Sequence, residues 1–142
     1  MTKSIALRIG AGVLTAALLA TTGGVMSAGA SSGPKLTVTP STNLKNGETV
    51  KVSGTGFKKG DSVYVVECLV KAKGGGQCNE LGATPATISS KGVLAPTKFM
   101  VITGTIGNGK CGTAPANLAS CDISVGNASG GDTASSRPIK FK

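Results

Sequence analysis

Four cysteines place the strongest constraint on how this chain of 142 residues can fold. Cys68 and Cys78 enclose nine residues, and so do Cys111 and Cys121. In a small exported domain such cysteines are most simply two disulfide bonds. A zinc site would need closer cysteine spacing or histidines, and the sequence has no histidine, which also removes the base of a serine hydrolase. The chain is therefore predicted to be a disulfide-stabilised scaffold that holds a ligand, not an enzyme.

The segment 1–30 has the order of a secretory signal peptide. Lys3 and Arg8 precede an apolar run, and small residues end at Ala30. A transmembrane anchor is the alternative, but the run of about 12 residues is shorter than the roughly 20 that a spanning helix needs. We expect cleavage after Ala30, which leaves a secreted, extracellular domain over 31–142 with no membrane anchor.

The mature chain is strongly basic. Without Lys3 and Arg8 it carries 13 basic and 6 acidic side chains, a net charge of +7 over 112 residues. This length suits one domain, which we expect to be a monomer. A basic surface attracts nucleic acid, anionic cell-wall polymers or acidic membranes. The lysines are scattered along the sequence, so solubility is an equally good explanation of the charge.

Hydrophobic residues recur at every second position in short runs separated by Gly, Asn, Ser and Pro, which is a strand pattern. No stretch has clear helical periodicity. Short strands with turn signals about every 8 to 12 residues predict an all-β fold, a seven-stranded antiparallel immunoglobulin-like β-sandwich. The predicted strands are Lys35 to Thr39, Thr49 to Ser53, Asp61 to Leu69, Ala86 to Ser89, Val93 to Ile102, Cys121 to Gly126 and Pro138 to Lys142.

Alternation also assigns the residues of each strand to the core or to the opposite face. Val63, Val65, Ile123 and Val125 are predicted to enter the core. The residues between them are small, polar or mildly apolar, which suits a shallow binding surface, although an ordinary solvated sheet face has the same pattern. These outward residues are Tyr64, Val66, Cys68, Asp122, Ser124 and Gly126.

Two other features near the first cysteine loop have alternative functional interpretations. Glu67 and Glu80 could be the paired carboxylates of a glycosidase, but we expect two ordinary solvated residues. The glycines over 74–76 could bind phosphate, but no helix follows them. They are therefore interpreted as the tip of a flexible ribbon.

Several segments together resemble a known family. They are the run LTVTPS over 36–41, the run VKVSGTG over 50–56, and a strand that follows Gly60 and ends in Cys68. The chain in these segments resembles the neocarzinostatin family, secreted actinobacterial apoproteins that carry a labile enediyne chromophore. The nine-residue gap between Cys68 and Cys78 matches the family's first disulfide loop, and the resemblance extends over essentially the whole mature domain.

The resemblance implies a sandwich with a cleft at one end, walled by two disulfide-bearing ribbons. The family's apoproteins are not enzymes: they shield a DNA-cleaving chromophore from water and thiols and then release it. The disulfide residues implied are Cys68, Cys78, Cys111 and Cys121. The ligand-binding cleft implied consists of Val66, Val70, Gly76, Ala83, Asp122, Ser124 and Gly126, with no metal.

The sequence departs from the family in the features that would hold a chromophore. Family members clamp it with aromatic side chains, whereas the corresponding positions here are Val70 and Ala83, and the chain has no tryptophan. The ribbon before Cys111 looks shortened, and the second disulfide loop, which contains Pro115 and Asn117, is longer than usual. The better-known members are acidic and this chain is basic. We therefore expect this chain to share the family's fold more closely than its ligand.

Two functions follow from these observations. The leading hypothesis is a secreted apoprotein that binds and protects a small apolar or aromatic ligand, an enediyne-type DNA-cleaving antibiotic chromophore held noncovalently, with no catalytic cofactor. Contact with DNA would then come through the ligand or through the basic surface. The alternative is a secreted basic interaction module that binds a cell-wall polymer, another polyanion or a protein, with a vestigial cleft.

Overall fold

A computed structural model of the chain describes residues 33–70, 77–129 and 133–142. The predicted signal peptide lies outside these ranges. No helix within them is long and apolar enough to span a membrane. The described residues include two one-turn 3-10 helices, Glu80–Gly82 and Pro115–Asn117. Their strands are β1 Lys35–Thr39, β2 Thr49–Thr55, β3 Ser62–Leu69, β4 Thr84–Thr87, β5 Val93–Met100, β6 Gly104–Ile106, β7 Gly109–Cys111, β8 Cys121–Gly126 and β9 Ala134–Ser135.

The strands form a β-sandwich in which all pairings between strands are antiparallel. One sheet has three strands in the order β1-β2-β5, and the other has four in the order β4-β3-β8-β9. Strands β6 and β7 form a separate hairpin. The two main sheets together contain seven strands, so the predicted all-β sandwich is confirmed.

One hydrophobic core joins the two sheets. The predicted inward residues Val63, Val65, Ile123 and Val125 are all at most 1 % exposed. Such burial is the main stabilising contribution in a domain this small, since each fully buried aliphatic side chain contributes roughly 1.5 to 3 kcal/mol. The other members of the core are Val38, Leu44, Val50, Val52, Phe57, Ile88, Leu94, Phe99, Val101, Ile106, Cys111, Cys121, Ala134, Ile139 and Phe141.

The prediction of a strand over Pro138 to Lys142 is wrong. Ile139 makes a single antiparallel bridge to Cys121, and Phe141 makes a single parallel bridge to Leu44. The segment forms only one bridge with each neighbour, so it does not make a continuous ladder with either of them. Ile139 donates to the carbonyl of Cys121, while Lys140 donates to that of Ser41. The last residues therefore lie between two neighbouring segments, with both apolar side chains buried.

The hairpin of β6 and β7 and the short strand β9 were not predicted, and the ends of β2, β3, β4 and β5 also differ from expectation. The hairpin turns at Gly107 and Asn108, where Gly107 has a φ of +53° that favours glycine. Strand β4 starts at Thr84, two residues before the predicted position. Strand β5 stops at Met100; beyond it, Val101 donates its N–H to the carbonyl of Glu48 and Ile102 donates its N–H to the carboxyl of Glu67.

Both predicted disulfides are present and both involve the four-stranded sheet. Cys68 of β3 is bonded to Cys78 in the segment that runs beside that strand. Cys111 of β7 is bonded to Cys121 of β8, which ties the small hairpin to the sheet. Among the described residues no cysteine is free. The chain-entropy model gives about 2.7 kcal/mol for each loop of this size.

Candidate functional site

A cleft lies on the outward face of the four-stranded sheet. Its volume of about 530 Å³ falls within the roughly 300 to 1,000 Å³ of small-molecule sites. The floor is built by register, since Val66 pairs with Ser124 and Cys68 pairs with Asp122 across β3 and β8. The lining residues are Val66, Cys68, Leu69, Cys78, Asp122, Ser124, Val125, Gly126, Thr133, Ala134 and Ser135.

Most of the residues expected in a cleft meet here. Val66, Asp122, Ser124 and Gly126 line it together with the Cys68–Cys78 disulfide. Val70 and Ala83 are half-buried but are not among the lining residues, and Gly76 lies outside the described residues. Val70 instead donates its N–H to the carbonyl of Ser120 at 2.8 Å. Ala83 closes the 3-10 turn that precedes β4.

A chain of polar side chains crosses the floor of the cleft. The hydroxyl of Ser124 donates to Oδ1 of Asp122 at 3.2 Å and lies 2.7 Å from the hydroxyl of Ser135. A serine has one hydroxyl proton, so when Asp122 is ionised Ser124 donates to it and accepts from Ser135. In that state the polar groups have one direction inside a largely apolar wall, an arrangement that orients a bound molecule.

Asp122 is more enclosed than strand alternation predicts. It faces away from the core, yet only 7 % of it is exposed, because β8 is an inner strand flanked by β3 and β9. Burial raises the pKa of its carboxyl, and the hydrogen bond from Ser124 lowers it in part. A buried carboxyl of this kind can be an acceptor when ionised or a donor when protonated.

Tyr64 and Gly126 extend the floor towards one end of the sheet. Tyr64 pairs with Gly126 across the strands and is 47 % exposed on the face that carries Val66. A Cβ atom at Gly126 would lie 3.2 Å from Cγ2 of Thr133. The glycine therefore keeps this end open, and the tyrosine offers an aromatic ring beside it. Alternation had placed Tyr64 on this face, but it was not included among the site residues.

The small hairpin packs beside the cleft. A Cβ atom at Gly109 of β7 would lie 2.8 Å from both terminal methyl groups of Leu69. Leu69 is itself a lining residue. The hairpin therefore approaches the wall closely only because residue 109 has no side chain.

The expectation that Glu67 is solvated is wrong. Its side chain is fully buried, while Glu80 is exposed as expected. Glu67 shares the alternation of Val63 and Val65, and this pattern indicates a core position despite its charge. Its Oε2 accepts a hydrogen bond from the N–H of Ile102 at 2.9 Å, whereas Oε1 has no partner among the described residues. Loss of solvent raises the pKa of Glu67 to about 7, although the Ile102 hydrogen bond acts in the opposite direction.

Glu67 lies against the second disulfide on the core side of the sheet, away from the cleft. Its carboxyl oxygen and the sulfurs of Cys111 and Cys121 are within 4.8 Å of one another. The two sulfurs are bonded to each other and are not thiolate ligands. This cluster is therefore a carboxyl packed on a disulfide, not a metal centre.

Comparison with known proteins agrees with this architecture. The profile of the neocarzinostatin family matches residues 36–141. Macromomycin from Streptomyces macromomyceticus is 33 % identical over 102 residues, which cover 68 % of this chain and 70 % of that protein. The antitumor antibiotic C-1027 apoprotein from Streptomyces globisporus is 33 % identical over 100 residues, which cover 66 % of this chain and 67 % of that one.

The solved structures give the same answer at the level of the fold. The macromomycin structure superposes with a TM-score of 0.58 at 30 % identity. The superposition covers 78 % of this chain and 100 % of the macromomycin chain. The solution structure of apokedarcidin gives a TM-score of 0.52 at 29 % identity and covers 78 % of this chain. On the sequence profile, the relatives and the shared fold, this chain belongs to the neocarzinostatin family.

Proposed function

We propose that this protein is a secreted, non-catalytic carrier that holds a small antibiotic chromophore of the enediyne type in the cleft of the four-stranded sheet. The observation that carries the proposal is the position of that cleft, a cavity of about 530 Å³ on the outward sheet face, in a chain whose relatives are named as antibiotic apoproteins. Export is part of the proposal and rests on the signal-like order of residues 1–30.

The chemistry of the cleft favours a mostly apolar ligand with a few polar groups. Val66 and Leu69 supply apolar wall. The chain of hydroxyls that ends on Asp122 supplies directional contacts for a ligand carbonyl, hydroxyl or amine. Because no described lining residue is aromatic, Tyr64 at the rim is the side chain that we assign to stacking on the ligand.

Carriage requires a cleft that keeps its shape. The first disulfide forms part of the floor, and the second ties the neighbouring hairpin to β8. A preformed site loses less entropy on binding than one that must be ordered by its ligand. The cleft is therefore suited to hold a labile molecule away from water without any chemical step of its own.

Native mass spectrometry of the protein from the culture medium of its producer, kept dark, cold and unreduced, tests this proposal. A stoichiometric noncovalent adduct of several hundred daltons is the expected result. Bare protein in every growth phase would contradict carriage and favour the basic interaction module.

Binding of 2-naphthol, a neutral bicyclic aromatic probe, tests the cleft itself. Gly126→Val places a side chain against Thr133 and should weaken binding at least tenfold, while valine suits a β-strand. Gly33→Ala is the matched control, since a Cβ atom there meets nothing within 4 Å. Equal probe affinity in the two variants, with equal thermal stability, would place the binding site elsewhere.

A further inference from the structure

The charges of the sandwich are divided between its two sheets. Strands β1, β2 and β5 contain Lys35, Lys51 and Lys98 and no acidic residue. Strands β3, β4, β8 and β9 contain Glu67 and Asp122 and no basic residue. The three-stranded sheet therefore presents a cationic face, and the cleft lies on the other sheet.

Two of the lysines stand directly opposite each other. Lys51 of β2 pairs with Lys98 of β5, and both are exposed. Neighbouring strands are about 4.8 Å apart, and like charges in directly opposed positions repel and cost stability. An anion bound between the two ammonium groups would remove this repulsion. The nearest acidic residue in sequence, Glu48, accepts the backbone N–H of Lys45 at 2.8 Å instead.

The third lysine extends the cationic face along the sheet. Thr39 of β1 pairs with Lys51. Lys35 lies four residues from Thr39, so it is about 13 Å along the strand from the position opposite Lys51. A shallow depression of about 390 Å³ lies beside Lys35 and includes the hydroxyl residues Thr37 and Ser53. Lysine and hydroxyl groups of this kind are common donors to phosphate oxygens.

We propose that the outward face of the three-stranded sheet, defined by Lys35, Lys51 and Lys98, binds the phosphodiester backbone of duplex DNA without sequence preference. The inference does not depend on the cleft or on its cargo. Lysines contact phosphates as point charges, and the three strands contain no arginine to read bases. Phe99, the one aromatic residue in these strands, is buried, so the face offers no platform for unpaired bases.

A duplex fits this face better than a flexible polyanion does. Duplex DNA is stiff and carries one charge per about 1.7 Å of its axis, so it reaches lysines about 13 Å apart without being ordered first. A flexible chain loses conformational entropy when it is laid across a flat surface. The cleft would remain free in such a complex because it lies on the other sheet.

Fluorescence anisotropy with a 20-base-pair duplex, measured between 0.05 and 0.3 M NaCl, tests the proposal on the disulfide-bonded protein. The variant Lys51→Gln/Lys98→Gln removes two proposed phosphate contacts. We expect affinity at 0.1 M salt to fall about 50-fold, and the slope of log K against log salt to become shallower by about 1.8. The control Lys59→Gln/Lys91→Gln removes the same charge from exposed loop positions and should lose less than about fivefold.

Three results would overturn the proposal. One is the absence of salt-dependent binding to the duplex by the parent protein. Another is an equal loss of affinity in the two variants, which means diffuse attraction only. The last is displacement of the labelled duplex by linear poly(glycerol phosphate) at a lower phosphate concentration than unlabelled duplex requires. That result would assign the face to a wall polymer. The Lys51/Lys98 variant should melt no lower than the parent, because it loses a repulsive pair, so misfolding is distinguished from lost contacts.

Discussion

Glu67→Gln should make the stability of this protein much less dependent on pH. The pKa of Glu67 is raised from 4.5 to about 7 because the carboxyl has lost its water. Between these pH values the native state holds a proton that the unfolded chain has released, so unfolding is favoured by raising the pH. The stability associated with the neutral carboxyl is complete below pH 4.5 and is lost as the pH rises to about 7.

The size of the effect follows from the difference between the two pKa values. Each pH unit corresponds to 1.36 kcal/mol, so the interval from 4.5 to about 7 is worth about 3 kcal/mol. The glutamine amide is neutral throughout. Its oxygen can accept the Ile102 N–H as Oε2 does, and its NH₂ would occupy the position of Oε1. The variant should therefore resemble the parent at pH 4.5 and be about 3 kcal/mol more stable at pH 8, about 10 °C in Tm for a domain of this size.

Thermal unfolding of the parent, Glu67→Gln and Glu80→Gln from pH 4.5 to 8 measures this difference. Asp122 also has a raised pKa, but it is present in all three proteins and cancels in the comparison. Glu80 is exposed, so its variant is the matched control and should follow the parent. If the Tm values of the parent and Glu67→Gln stay parallel over the whole range, the carboxyl is not held in a desolvated site and the reasoning is refuted.

Three further predictions concern the scaffold and the floor of the cleft. Reduction of both disulfides under native conditions should lower the free energy of unfolding by about 5 kcal/mol; an unchanged Tm with free thiols confirmed would contradict this. Gly112→Ala should destabilise the fold by more than 2 kcal/mol, because φ is +63° and the new Cβ would lie 2.6 Å from Cγ of Phe141; Gly47→Ala, at φ +76° with open space around it, isolates the backbone part in the same melting assay. Ser124→Ala should raise the pKa of Asp122 further, since it removes the hydrogen bond that opposes burial; a carboxyl titration followed by carbon NMR should show no change if that bond is absent.

Strand alternation predicted the parts of the fold that one buried face controls. It placed β8 at Cys121–Gly126 and put Ile123 and Val125 in the core, as the structure has them. It succeeded because a shift of one residue would expose every apolar side chain of the strand. The same alternation brought Val66 and Ser124 to one face, and the structure pairs them side by side in the floor of the cleft.

The failures occur where pairing or burial depends on distant residues. Glycine at 104, 107 and 109 breaks the alternation of the hairpin, and the Gly107-Asn108 dipeptide is the sequence signal of its turn. The bridges of Ile139 and Phe141 depend on two partners that are distant in sequence. Glu67 was misjudged because its charge was given more weight than its position between core residues. No sequence pattern indicates that the N–H of Ile102, 35 residues away, donates a hydrogen bond to its carboxyl.

The disulfides divide the sandwich into unequal halves. All four cysteines lie in or bond to the four-stranded sheet and its hairpin, whereas the strands of the three-stranded sheet contain none. Local opening should therefore start in the three-stranded sheet, where only packing and hydrogen bonds resist it. A molecule in the cleft would then leave at a rate set by its own contacts with the cleft, because the disulfides suppress local opening of the wall around it.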